Sequence, residues 1–317
     1  MLAVVLFATA VVTAAQSNIL IIAHRGASGH RPEHTLESYT LGISMGADYI
    51  EPDVVSTKDG VLIARHENEI GGTTDVAEKF PSRKTTKTID GQSITGWFSE
   101  DFTLAEIKTL RAKERLPFRS HQRDGLYPVP TLDEVIALAD AKTKETGRTI
   151  GVYPETKHPT YFRSIGLPLE PPLLAMLAKH GKRDKSSAVF IQSFEPASLQ
   201  LLRPQTSLRL ILLLDATADV SPARLAEVRT FADGIGPNSR LIVPANADGT
   251  LRAPTTLVDD AHKAGLLVHV WTLRSEAAFL SPSYGGDPIK EYRHFASLGV
   301  DGIFGDFPDV AFAALRK

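Results

Sequence analysis

LIIAHRGASGHRPEHTLESY (residues 20–39) begins as an apolar run and breaks at His24-Arg25-Gly26 before it resumes in helical spacing from Thr35. A short run that is apolar on both faces has the character of a parallel strand covered by helices. The turn after it separates two α/β architectures. A doubly wound dinucleotide-binding sheet would carry G-x-G-x-x-G there, and Gly26-Ala27-Ser28-Gly29 does not have that spacing. An imidazole and a guanidinium stand where such a fold would present glycines.

Outward from this stretch, strand-like runs recur at 49–55, 150–153, 188–192, 208–214, 234–236, 266–271 and 302–304. Helical patterns alternate with them at 35–45, 132–141, 172–180, 196–202, 222–231, 255–264, 288–298 and 309–315. Several of these open on proline, whose missing N–H costs nothing in a first turn. Eight strands alternating with helices predict an α/β fold, a (β/α)8 TIM barrel spanning 18–317. The pattern lapses over 71–130, a polar stretch with two short helical candidates and no aromatic cluster, too long for an ordinary connection. It is expected to be a small insertion on the barrel face, after the second strand region. Asp59-Gly60 marks a tight turn into a further extended segment at 61–63.

Composition narrows the function classes. The chain has 317 residues, 43% of them hydrophobic, and a net charge of −2. That balance gives no electrostatic basis for nucleic acid or an anionic membrane as a partner. The absence of cysteine removes disulfides, thiolate metal sites and a cysteine nucleophile. The first fifteen residues, MLAVVLFATAVVTAA, carry no charged side chain. They are too short to span a bilayer, which takes about 20 residues. They fit the apolar region of a signal peptide with small-residue cleavage sites at 12–14 or 13–15, although no Lys or Arg precedes it. The expectation is an exported chain, periplasmic or secreted, with no stable membrane insertion.

In a parallel barrel the C-terminal strand ends converge on one mouth. Read in order, those ends give His24-Arg25, Glu51 and Asp53, Glu155 and Lys157, Gln192-Ser193, Trp271 and Asp306. Simple solvation of the rim would mix residue types rather than gather acids, cations and a histidine in the first three strands. Glu51 and Asp53 are two apart, so both carboxylates point to one face. With Glu155 they would repel one another unless a cation sat among them, and oxygen ligands favour Ca2+ or Mg2+. The alternative is structural pairing with Arg25 and Lys157, which can coexist with a cation. His24 and His66 are the natural proton-transfer groups. Arg25 and Lys157 supply charge for an anionic substrate. There is no P-loop and no G-x-S-x-G elbow. The residues by themselves specify a metal-assisted hydrolase of an anionic ester.

His24-Arg25-Gly26, Pro32-Glu33-His34-Thr35, Glu51-Pro52-Asp53, Thr57-Lys58-Asp59-Gly60 and His66 resemble the signature of glycerophosphodiester phosphodiesterases. GVYPETKHP (151–159), IQSFE (191–195), VWTL (270–273) and FGDFPD (304–309) follow in the same order. PEHT and TDVAEKFP (74–81) are similar to the periplasmic bacterial branch, which carries a signal peptide and calcium. The resemblance implies a TIM barrel with a small inserted domain, Glu51, Asp53 and Glu155 as metal ligands, and Ca2+ ahead of Mg2+. It implies His24 and His66 as acid and base, Arg25 and Lys157 on phosphate, Gln192 at the substrate, and Phe194 and Trp271 along the wall near the glycerol. The implied reaction releases sn-glycerol 3-phosphate from diesters such as glycerophosphocholine and glycerophosphoethanolamine. Two departures stand out: Glu67 where many members have Asp after the second histidine, and Gly72 where many have Arg before the Thr-Thr pair.

Three other functions compete. A phospholipase C- or D-like enzyme acting on lipid headgroups would show an apolar or basic rim. A non-catalytic exported phosphodiester-binding protein would be expected to lose a histidine or a carboxylate. A metal-dependent amidohydrolase would carry H-x-H after the first strand, where this chain reads His24-Arg25-Gly26. The oligomeric state is left open by the sequence.

Overall fold

The computed structural model describes residues 19–316, so the expected leader at 1–15 lies outside the described residues. The first strand, Leu20–His24, runs between Gly302–Gly305 on one side and Tyr49–Glu51 on the other, parallel to both. Strands from opposite ends of the chain are therefore neighbours, and the sheet curls. Its order is Leu62–Ala64, Asp53–Ser56, Glu155–Thr156, Phe190–Ser193, Arg209–Leu214, Gly234–Pro237, Leu267–Leu273, Gly302–Gly305, Leu20–His24, Tyr49–Glu51 and Gly151–Val152. Every ladder is parallel except that of Asp53–Ser56 with Leu62–Ala64.

The fold is mixed α/β, with eleven strands in this sheet where eight were expected. Proline accounts for two of the extra segments, because it has no N–H to give a ladder. Pro52 separates Tyr49–Glu51 from Asp53–Ser56, and Pro154 separates Gly151–Val152 from Glu155–Thr156. The register is the same on both sides of the breaks, Ile50 opposite Val152 and Asp53 opposite Glu155. Leu62–Ala64, entered through the expected Asp59-Gly60 turn, is the third.

Alternation along the strands builds two cores. Ile21 and Ala23, Leu210 and Leu212, and Ile303 face the layer packed by helices. Ile22, Ile211 and Phe304 join Tyr153 and Phe190 in a separate cluster inside the curl. There Tyr153 stacks on Phe190 at 4.9 Å and lies 5.0 Å from Phe304. Buried His269 closes this floor, its Nδ1 2.8 Å from the Tyr153 hydroxyl.

Helix Leu36–Ser44 follows the opening turn because Thr35 caps it, its hydroxyl accepting from the Ser38 N–H. Within 71–130 lie the short helices Val76–Lys79 and Leu104–Ile107, and a hairpin, Thr85–Ile89 with Gln92–Gly96. Asp90 (φ 49°) and Gly91 (φ 79°) give the hairpin its two-residue turn. No described helix is long and apolar enough to cross a membrane.

Candidate active site

His24 is the last residue of its strand, Glu51 the last of Tyr49–Glu51, and Glu155 lies opposite both Asp53 and Gln192. These ends open on a cavity of about 220 Å3 lined by His24, Arg25, Glu51, His66, Glu155, Lys157, Gln192, Phe194 and Trp271, with Arg274 and Phe304. Asp53, the remaining expected residue, lies behind this wall and is 1% exposed. Drug-sized ligands usually occupy roughly 300–1,000 Å3, so the space suits a compact polar substrate.

The opening turn is held by its backbone. Arg25 has φ 59° and Gly26 φ 89°. A Cβ at Gly26 would lie 2.4 Å from the Ser38 hydroxyl oxygen, so only glycine fits. A non-glycine residue in the left-handed region costs about 1–3 kcal/mol and persists where its surroundings hold it. Here the Arg25 N–H donates to Glu51 Oε2 at 2.8 Å, and Nη1 donates to Glu33 Oε2 at 3.0 Å. Arg25 Nε lies 3.4 Å from Asp53 Oδ2. Burial works against the guanidinium charge, and Glu33, Asp53 and Glu51 outweigh it.

Glu51, Asp53 and Glu155 each bring an oxygen within 4.8 Å of the other two. Burial, then the charges of Asp53 and Glu155, pushes the Glu51 carboxyl well above its usual range. Burial lifts Glu155 to about 8, with Lys157 opposing and Asp53 adding. Asp53 stays ionised: burial pushes it up, but His34, Lys157 and Arg25 pull it well below the ordinary value. Asp53 Oδ2 accepts from His34 Nε2 at 2.9 Å, and His34 Nδ1 lies 2.7 Å from the Tyr39 hydroxyl. Asp53 Oδ1 is buried without a partner. Three crowded carboxylates and one unpartnered anionic oxygen are a donor set that fits a hard divalent cation. The expected ion pairing coexists with this, since Lys157 Nζ lies 2.9 Å from Glu155 Oε1. Gln192 spends its Nε2 on Glu51 Oε1 at 3.1 Å.

The two histidines share a pattern. His24 Nδ1 lies 2.6 Å from Asp306 Oδ1, and His66 Nδ1 lies 2.9 Å from Glu67 Oε1. A ring nitrogen facing a carboxylate carries the proton, which leaves each Nε2 as the lone-pair nitrogen for the cavity. Burial and the charge of Arg25 lower His24 to about 4, against the pull of Asp306. Burial, Arg25 and Lys157 lower His66 to about 4. Both rings are neutral at pH 7 in the free protein.

Phe194 and Trp271 meet edge to face at 5.5 Å, the indole N–H donating to the Gly236 carbonyl at 2.6 Å. Lys157 Nζ stands 5.6 Å from the Phe194 ring centre. The rim also carries an aromatic pair the sequence did not reveal. Phe118 and Phe279, 54% and 37% exposed, meet at 5.8 Å, and Arg274 of the cavity wall lies over Phe279. They come from loops 161 residues apart, so neither forms a cluster in sequence.

Several residues beyond those expected hold the site. The sequence places Asp306 at a strand end and gives it no role. Its Oδ2 accepts from Arg119 Nη2 at 2.6 Å and Arg274 Nε at 3.0 Å, which with His24 hold it far below the carboxylate range despite burial. Arg119 also donates to Glu276 at 2.6 Å and to the Ser28 carbonyl at 3.0 Å. Glu33 and His34 stand in PEHT, where their motif was visible and their partners were not. Arg119 sits among other basic residues of a polar stretch and carries no sequence signal.

The model of the "Glycerophosphoryl diester phosphodiesterase family" matches residues 24–310. The chain is 39% identical to the glycerophosphodiester phosphodiesterase GDPD6 of Arabidopsis thaliana, over 90% of this chain and 83% of that one. It is 31% identical to the glycerophosphodiester phosphodiesterase of Haemophilus influenzae, covering 96% and 92%. Among solved structures it is similar to a glycerophosphodiester phosphodiesterase from Agrobacterium tumefaciens, with TM-score 0.61, 26% identity and coverage of 93% and 99%. It shares its fold with an Oleispira antarctica phosphodiesterase solved in complex with the product sn-glycerol-3-phosphate, at TM-score 0.63, 20% identity and coverage of 94% and 97%. Family match, relatives and the ring of acids, cations and imidazoles agree: this chain belongs to the glycerophosphoryl diester phosphodiesterase family.

Proposed function

We propose that the protein hydrolyses glycerophosphodiesters such as glycerophosphocholine and glycerophosphoethanolamine to sn-glycerol 3-phosphate and an alcohol. The observation that carries this is the pair of imidazoles, each with Nδ1 against a carboxylate, facing one cavity with Glu51, Glu155, Arg25, Lys157 and Arg274, and with Asp53 completing the acid triad behind its wall. Glu51, Asp53 and Glu155 would hold a divalent cation, Ca2+ ahead of Mg2+. When bound it would offset the carboxylate charge and polarise a phosphoryl oxygen.

Arg25 and Lys157 draw the anionic phosphate into the cavity and spread its developing charge. The substrate's negative charge raises the pKa of both nearby imidazoles, so one can take up a proton near neutral pH. One Nε2 accepts a proton from the attacking hydroxyl, and the other imidazole gives one to the leaving alkoxide. Attack by water gives sn-glycerol 3-phosphate directly; attack by the glycerol's own hydroxyl gives a cyclic phosphate, which water then opens to sn-glycerol 3-phosphate with the two imidazoles exchanging roles. Phe194 and Trp271 flank the glycerol.

The same proposal takes the eleven strand segments as a (β/α)8 barrel at 18–317, with residues 71–130 inserted over its face and residues 1–15 directing export. The test is release of glycerol 3-phosphate from glycerophosphocholine by a chain lacking residues 1–15, after EDTA and again with Ca2+ or Mg2+ restored. Turnover that returns with metal supports the assignment. A folded protein that releases nothing with either metal overturns it. Phe118 and Phe279 favour a second substrate class, lipid diesters, tested in parallel by headgroup release from phospholipid under the same metal conditions.

A further inference from the structure

The His66 side of the cavity continues into a chain of charged contacts that the proposed reaction does not use. Glu67 Oε1 faces His66 Nδ1, and Glu67 Oε2 lies 2.7 Å from His158 Nε2. His158 Nδ1 lies 2.5 Å from Asp90 Oδ2, at the exposed turn of the hairpin. Three separate segments thus meet in one line that ends on an imidazole of the cavity wall. Glu67 is also one of the two positions where the sequence departs from the family pattern.

We propose that His158 is a positioning residue for His66, acting through Glu67 and anchored by Asp90 from the hairpin. Glu67 follows His66 directly, and its side chain is 42% exposed. Left alone, such a side chain samples many rotamers. A carboxylate fixes its neighbour's ring only if its second oxygen is held. His158 supplies that hold, half-buried and preset by its own φ of 48° at the start of helix Pro159–Ser164. Bridging two carboxylates requires both ring nitrogens to donate. Burial disfavours that charged ring, but Glu67 and Asp90 raise its pKa above the ordinary value. Glu67 is held well below its own: burial pushes it up, and His158 and His66 outweigh it. The longer reach of Glu over Asp is what lets one carboxylate touch both imidazoles.

This inference rests on the role proposed for His66, so its test carries a readout that does not depend on turnover. His158→Ala is expected to lower kcat for glycerophosphocholine about tenfold, with KM little changed, and to shift the His66 ring signals in a 15N-histidine NMR spectrum. In a Glu67→Ala background the same substitution should cost nothing further. His158→Asn tolerates positive φ and keeps an amide donor, so partial recovery is expected. Asp90→Ala, on an exposed side chain, should act in the same direction by at most about fivefold. His66 signals unchanged in His158→Ala, or equal losses with and without Glu67, would overturn the proposal. If the unsubstituted chain released no glycerol 3-phosphate, the assigned reaction would fall and the His66 signals alone would decide this point.

Discussion

The two imidazoles of the cavity are held by different kinds of structure. His24 sits on a core strand, its carboxylate partner follows the neighbouring strand, and that partner is gripped by Arg119 and Arg274. Asp306 is 2% exposed. His66 stands on a loop beyond the antiparallel strand, 30% of its side chain open, beside a Glu67 that leads outward to solvent. One arm is built from the sheet and the other from loops. Removing a link from the first should disturb folding and turnover together, whereas the second should lose turnover alone.

The strongest challenge is to delete each ring. His24→Ala and His66→Ala should each reduce kcat about 10²–10⁴-fold while Ca2+ affinity by calorimetry stays near that of the unsubstituted chain. Equal loss of metal binding would show that the histidines belong to the cation site instead. The carboxylates then separate the arms. Asp306→Asn leaves two arginines facing a neutral amide, and urea unfolding should show a loss of roughly 3 kcal/mol along with reduced turnover. Glu67→Gln, at a half-open position, should cost under about 1 kcal/mol and still reduce kcat. Similar stability losses for both would erase the distinction.

A pH titration extends the contrast to the floor beneath the site. Burial lowers His269 to about 4, and its Nε2 has no partner. Between pH 6.5 and 4 the unfolded chain binds a proton there that the folded chain refuses, so stability falls as pH is lowered through that window. The full effect is about 3 kcal/mol, and His269→Gln should give a shallower curve in urea unfolding at pH 7, 5.5 and 4.5. A milder change than Asp306→Asn is expected for Arg119→Lys. A lysine cannot reach Asp306, Glu276 and the Ser28 carbonyl at once. It should lower stability by about 1 kcal/mol and leave KM unchanged, measured by urea midpoint and initial rates.

The sheet-borne arm was the legible one. Strand ends converge wherever a parallel sheet curls, so position in the sequence marks His24, Arg25, Glu51, Glu155, Lys157, Gln192 and Trp271, and all seven line one cavity. His66 is marked by its proximity to the acid pair. What the sequence withheld are partnerships set by tertiary approach: Asp306 with Arg119, Glu67 with His158, and Phe118 with Phe279. Each joins loops far apart in the chain, and no period of 2 or 3.6 encodes such a meeting. Proline hid the strand count for a local reason, because Pro52 and Pro154 interrupt runs whose register continues.

The pairing of the first strand with the last has a consequence during biosynthesis. His24 and Asp306 are separated by 282 residues, so the contact that orients the ring forms only after Asp306 itself has been made. Loop closure over that span is entropically expensive, and such distant pairings come late in folding. A nascent chain that already holds the His24-Arg25-Gly26 turn, the three acids and His66 would still lack the group that fixes His24. Phosphodiester chemistry would then begin abruptly, with the arrival of the final strand.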